Sequence, residues 1–237
     1  MLDNIIKPPF LGFEPEAIKF LKSLSNPKNN NKAWFDIHRD EYETFLKSPM
    51  RELIDNLADE IYKIDSDIVV NYKSIFRINR DIRFSKNKAP YKSLYSAAFA
   101  FGRVKSAEIP QFYFHFDKNE FIFASGQYSS DIDYLRKIRK AIYSDFKTYK
   151  SIIKNKLFEK NYGDVQGESL TKLPKGYENL NLGKEDSLMI KTLMMKQFYV
   201  SKTYDNKIIL SEDLVEVILE NINLTYDFTK YLYKASV

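Results

Sequence analysis

The chain has 237 residues, 44% of them hydrophobic, which is enough to bury one sizeable core. It contains no cysteine and two histidines, which excludes disulfides, thiolate catalysis and thiolate-held metal or iron–sulfur centres and leaves no material for a His-rich metal site. The net charge of +5 is unevenly placed: residues 1–70 carry nine Lys or Arg against thirteen Asp or Glu, whereas residues 71–105 carry nine against Asp81 alone.

In chain order, the first periodic stretch starts near Glu14 with Pro15 in its first turn, and Ala17, Phe20, Leu21 and Leu24 form an apolar stripe that stops before Pro27. Asn29, Asn30 and Asn31 supply turn and N-cap residues for a second helix, whose face carries Trp34 or Phe35, His38, Tyr42 and Phe45. Ser48 and Pro49 read as the cap and first turn of a third, with Met50, Leu53, Leu57 and Ile61 at helical spacing. The period then changes. Residues 73–78 and 93–101 contain short β-compatible runs, and QFYFHFD and EFIFASGQY, separated by Lys118 and Asn119, predict an antiparallel hairpin over 110–128. Regular alternation places Phe112, Phe114 and Phe116 on one face of that hairpin and Tyr113 and His115 on the other.

Asp131 is placed to cap a further helix in which Ile132, Leu135, Ile138, Ile142, Phe146 and Tyr149 recur, and another helical segment is expected to reach Leu157. Residues 162–184, with four Gly and one Pro, read as a connection across the surface. Residues 188–195 suit helix or strand, 198–203 strand, and Ser211 is the candidate cap of a last helix with a break near Asn223. Helices grouped at both ends around short strands predict an α+β fold, a single domain over residues 1–237 with a mainly antiparallel sheet packed by helices. No run approaches the length of a bilayer span, and MLDNIIKPPF lacks the features of a secretory signal, so the expectation is a cytoplasmic protein with no membrane partner.

The segment NRDIRFSKNKAPYKS, residues 79–93, is the most informative stretch. Arg80, Arg83, Lys86, Lys88 and Lys92, preceded by Arg77, are accompanied by one acid, Asp81. Guanidinium forks and flexible ammonium groups suit phosphate or carboxylate, and the shortage of acids leaves them in want of partners. Tyr91 and Trp34 are placed to stand at the rim of such a patch, where stacking would extend the reading from a small anion to a nucleotide or nucleic acid. The competing reading is a solvated connection with internally paired arginines, in which Trp34 is a core anchor. No Gly-rich phosphate loop and no cofactor or metal motif accompanies the segment.

FLKSLSNPKNNNKAWFDIHRDEY, FRINRDIRFSKNKAPYKS, FIFASGQY and LTKLPKGY together resemble the DUF2461 family of uncharacterised proteins over nearly the full length. The family's characteristic positions fall here on Asn31, Trp34, Phe35, Arg80, Asp81, Arg83, Phe84, Ser85, Lys88, Pro90, Tyr91 and Lys92. That resemblance implies a cytosolic single-domain protein and brings no reaction with it.

Three functions stay open. The first is recognition of an anionic small molecule or nucleic acid through Arg77, Arg80, Arg83, Lys86, Lys88 and Lys92 with Tyr91 and Trp34. The second is an enzyme acting on a phosphorylated substrate, with His38 or His115 as acid or base and Asp36, Asp40 or Asp81 as partner. The third is an interaction module using the aromatic inventory.

Overall fold

The computed structural model describes residues 8–102, 109–129, 131–180 and 186–236. Helices α1 (Pro15–Leu24), α2 (Lys32–Ile37), α3 (Arg39–Tyr42) and α4 (Ser48–Ile64) precede strands β1 (Ile68–Val69), β2 (Tyr95–Phe101), β3 (Gln111–Phe116) and β4 (Glu120–Gln127). Helices α5 (Ile132–Ser144), α6 (Phe146–Ile153), α7 (Lys156–Tyr162) and α8 (Ser187–Leu193) follow, then β5 (Phe198–Asp205) and α9 (Leu214–Ser236). The strands form one antiparallel meander in the order β1-β2-β3-β4-β5, so the chain is α+β and the hairpin over 110–128 is present. No helix among the described residues is long and apolar enough to cross a membrane.

Several elements start or stop where their capping chemistry dictates. Pro15 opens α1, the Asn31 side chain accepts from Trp34 N–H at the start of α2, and Asp131 does the same for Asp133 N–H in α5. Elsewhere the backbone overrides the local signal. The second helix breaks at His38, whose φ of −102° and ψ of 20° leave the helical region, and α3 runs on through a π-helical turn at Glu43–Lys47 into α4. Ser48 is therefore not a cap: Lys47 before it is already helical, and burial of Leu46 and Met50 holds the continuous path. The expected single helix after Asp131 is two, α5 and α6, divided at Asp145, which caps the second through Thr148 N–H; Ile132 faces solvent rather than the core. Tyr72–Ser74 is a 3-10 turn closed by a capping box with Asn71, and Ile75 pairs singly with Ala97 rather than extending a strand. Helix α9 passes through Asn223 without a break, and Ser211 serves the turn before it by accepting from Asp213 N–H. Of the connection over 162–184, residues 181–184 lie outside the described residues; the rest touches β5 and the turn before it through single bridges, Gln166 to Tyr199 and Ser169 to Met195.

Contacts divide the chain into two compact units. The first comprises Met1–Val104, Tyr113–Phe123 and Thr203–Asn221, and the second Lys105–Phe112, Ala124–Lys202 and Ile222–Val237. In the first, an aromatic series runs from Phe20 and Phe35 through Tyr42 and Tyr95 to Phe116 and Phe13, with ring centroids 4.8–6.4 Å apart. Leu46, Met50, Leu53, Leu57 and Ile61 bury the apolar stripe of the α3–α4 stretch. The core of the second unit gathers Ile138, Ile142, Tyr149, Phe158, Phe198, Val200, Phe228 and Leu232. Two buried hydroxyls there, Ser125 on β4 and Thr229 on α9, satisfy each other.

Candidate functional site

The basic segment lies wholly in the first unit and is closed at its base by a short antiparallel ladder. Arg80 N–H donates to Pro90 O and Lys92 N–H to Ile78 O, each at 2.8 Å, around the bridged pair Asn79 and Tyr91. Ile78 and the Tyr91 ring turn inward, and Tyr91 stacks on Phe35 with centroids 4.1 Å apart. Tyr91 is thus a buried anchor, 6% exposed, with no face to offer a base.

Residues 81–89 arch over this ladder, and their own polar groups hold them. The half-buried Arg80 guanidinium donates to Ala89 O at 2.9 Å and Ser85 Oγ at 3.3 Å. Lys88 Nζ donates to Ile82 O at 3.1 Å, and Asn87 accepts from Ala89 N–H. Arg83 grips both carboxylate oxygens of Asp81, at 2.7 Å from Nη2 and 3.0 Å from Nε. That hydrogen-bonded pairing lowers the Asp81 carboxyl and raises the Arg83 guanidinium relative to their ordinary values. Phe84, at the crest, is 95% exposed, and Lys86 is exposed beside it.

A different grouping forms at the foot of the segment. Lys92 Nζ donates to Arg77 O at 3.0 Å and stands 5.2 Å from the centre of the Phe76 ring. Phe76 meets Tyr113 edge-on at 6.0 Å, and Tyr113 lies 5.5 Å from His115. The hairpin alternation therefore separates a buried Phe face from a half-buried Tyr113/His115 face, and Lys92 joins the second. Burial lowers the Lys92 ammonium, and the neighbouring Arg77 charge lowers it further. Burial also lowers the His115 imidazole, outweighing Asp117 and Glu120, which act to raise it. His115 Nδ1 is buried and has no hydrogen-bond partner among the described residues. Tyr113 is raised by burial and hydrogen-bonded to the Ser96 side chain.

The other two candidates sit on the α2–α3 corner. The half-buried Trp34 ring stacks on His38 at 3.9 Å, and His38 Nδ1 bonds the Trp34 carbonyl at 2.8 Å. Asp36 beside them is held by Lys32 and Arg39, whose hydrogen bonds lower its carboxyl. The carboxylates of Asp36 and Asp81 thus both bind cations, and no His–Asp hydrogen bond is present among the described residues. Nor is any cluster of three His, Cys, Asp or Glu suited to a metal ion found among them.

The geometry thus splits the basic residues. Arg80, Arg83 and Lys88 hold the arch, Lys86 projects from it, and Lys92 meets an aromatic face with the exposed Arg77 charge beside it. Phe76 and Ser96 belong to that face and were not singled out from the sequence, whereas alternation already places Tyr113 beside His115. No curated protein matches the chain. The family described as "Conserved hypothetical protein (DUF2461)" matches residues 16–231, and the chain belongs to it.

Proposed function

We propose that the chain recognises a small phosphate- or carboxylate-bearing molecule at the foot of the basic segment, with Lys92 and Arg77 as the charged contacts and Phe76, Tyr113 and His115 as the adjoining wall. One observation carries this reading: Lys92 is a half-buried ammonium beside a second cation, and its hydrogen bond goes to a neutral carbonyl rather than a carboxylate. An arriving anion would supply the missing counter-charge. Arg83 lacks that need because Asp81 already binds it. A small ligand is favoured over a nucleic acid strand because Tyr91 is packed under Phe35 and Trp34 against His38, so neither is an open stacking platform.

The test is calorimetric titration of phosphate-bearing and carboxylate-bearing compounds and of oligonucleotides at two salt concentrations. K92A and R77A should each weaken binding by about tenfold or more, the loss expected for a charged hydrogen bond, while R83A changes it little. Unchanged affinity in folded K92A and R77A proteins would overturn the assignment.

A catalytic reading is favoured by one specific feature, the neutral-biased His115, whose buried Nδ1 has no hydrogen-bond partner among the described residues. In that case H115Q would lose turnover of a phosphorylated substrate by a much larger factor than it weakens binding.

A further inference from the structure

We propose that the second unit carries a separate oxyanion site, in which Arg139 receives the phosphate or carboxylate group of a small molecule entering by the cleft beside α5 and the Met195–Gln197 turn. Arg139 lies on α5 among core residues and is 8% exposed. One Nη donates to the Met195 carbonyl at 2.7 Å, whereas Nε is buried with no hydrogen-bond partner. Among the described residues the guanidinium has no carboxylate partner. The other polar group acting on it is the Tyr177 phenol, whose ring meets Tyr143, one turn along α5, at 5.4 Å.

A guanidinium carries five donors and keeps its proton even where burial disfavours the charge. Burying the Nε–H of such a cation without an acceptor, with one neutral carbonyl on an Nη, is costly. Fastening the Met195 carbonyl does not require it, because a neutral amide donor would do the same. An oxyanion, by contrast, would satisfy the free Nε–H and supply the opposite charge together.

The approach would start from a cleft whose lining adjoins Arg139 and Met195 along the chain without including them. An open cleft of about 380 Å³ is lined by Tyr128, Ser129, Leu135, Lys196 and Gln197. Leu135 is one turn before Arg139 on the same face of α5, and helical side chains lean towards the preceding turn. Lys196 directly follows Met195, whose carbonyl Arg139 holds. The size suits a small molecule rather than a polymer. Lys196 at the mouth is engaged by Glu168 at 3.1 Å, which leaves Arg139 as the buried anchor.

The experiment is NMR of the full chain, following the Nε–H signal of Arg139, assigned through its own side-chain correlations. Inorganic phosphate and succinate form two arms, with chloride at equal ionic strength as reference. The expected result is a saturable shift of that signal with phosphate or succinate and none with chloride, undiminished in K92A. R139M, if folded, should bind the effective anion about tenfold or more weakly, and R139K, which keeps the charge, serves where R139M does not fold. A signal that ignores both anions, or follows chloride equally, would overturn the proposal and leave Arg139 as a pin for Met195. Loss of the shift in K92A would overturn the separateness of the site.

Discussion

Asn30 binds both backbone groups of Tyr91: its Oδ1 accepts from the Tyr91 N–H and its Nδ2 donates to the Tyr91 carbonyl, each at 3.0 Å. The same amide nitrogen reaches Leu24 O at 3.1 Å, so one side chain ties the end of α1 to the return of the basic segment. Replacing it leaves half-buried backbone groups without partners. N30A should therefore lower stability by about 2 kcal/mol, read as a shift in urea midpoint at unchanged slope, and N30D, which keeps only the acceptor, should fall between. A midpoint for N30A equal to wild type would show that the clamp is dispensable.

Arg80 and Arg83 are three residues apart and should behave oppositely. Truncating Arg80 frees Ala89 O and Ser85 Oγ and loosens the arch, so R80M should raise the rate of chymotryptic cleavage after Phe84 several-fold. R83A removes an exposed ion pair and should leave both cleavage and stability at wild-type values. Equal cleavage of the two variants would contradict this division of labour.

His115 gives a pH dependence with a definite sign. Its native value lies below the ordinary 6.5 because burial disfavours the charged ring. The unfolded chain then takes up a proton more readily than the native one. Its contribution to stability is complete above pH 6.5 and is lost as pH falls through the depressed native value. Wild type should lose more stability than H115Q between pH 7 and pH 5, measured by urea unfolding at each pH; equal losses would show that other groups govern acid sensitivity.

Gly126, in the FASG stretch, has φ of +115°, and a Cβ there would lie 2.2 Å from Phe198 O. The backbone of Phe198 and Tyr199 in β5 cannot move aside cheaply. G126A should be destabilised by about 3 kcal/mol or more, or fail to accumulate as folded protein. A well-folded G126A with wild-type thermal unfolding would refute the close approach.

Where a physical signal was local, the sequence carried it. Leu53, Leu57 and Ile61 mark the buried stripe of α4, and Asn31 and Asp131 cap the helices they precede. Ser48–Pro49 misled because a cap is a backbone conformation, and the burial of Leu46 and Met50 keeps the chain helical through that point. The basic segment was legible as a surplus of cations over acids. Its internal use was not, because the acceptors that take Arg80, Lys88 and Lys92 are carbonyls of Ala89, Ile82 and Arg77, which composition does not display. Alternation put Tyr113 beside His115, but bringing Phe76 and Lys92 to them depends on closure of a loop whose path no spacing encodes.

The Trp34–His38 stack has an optical consequence. The chain contains one tryptophan, so its emission comes from a single place. An imidazole in face contact quenches indole emission, and the emission should therefore brighten when the α2–α3 corner opens. Because Phe20 borders Trp34 and also meets Phe35, on which Tyr91 stacks, disturbance of the segment's base has a short packed path to the fluorophore. The protein thus carries an intrinsic light signal close to the surface proposed to bind anions, available without label or substitution.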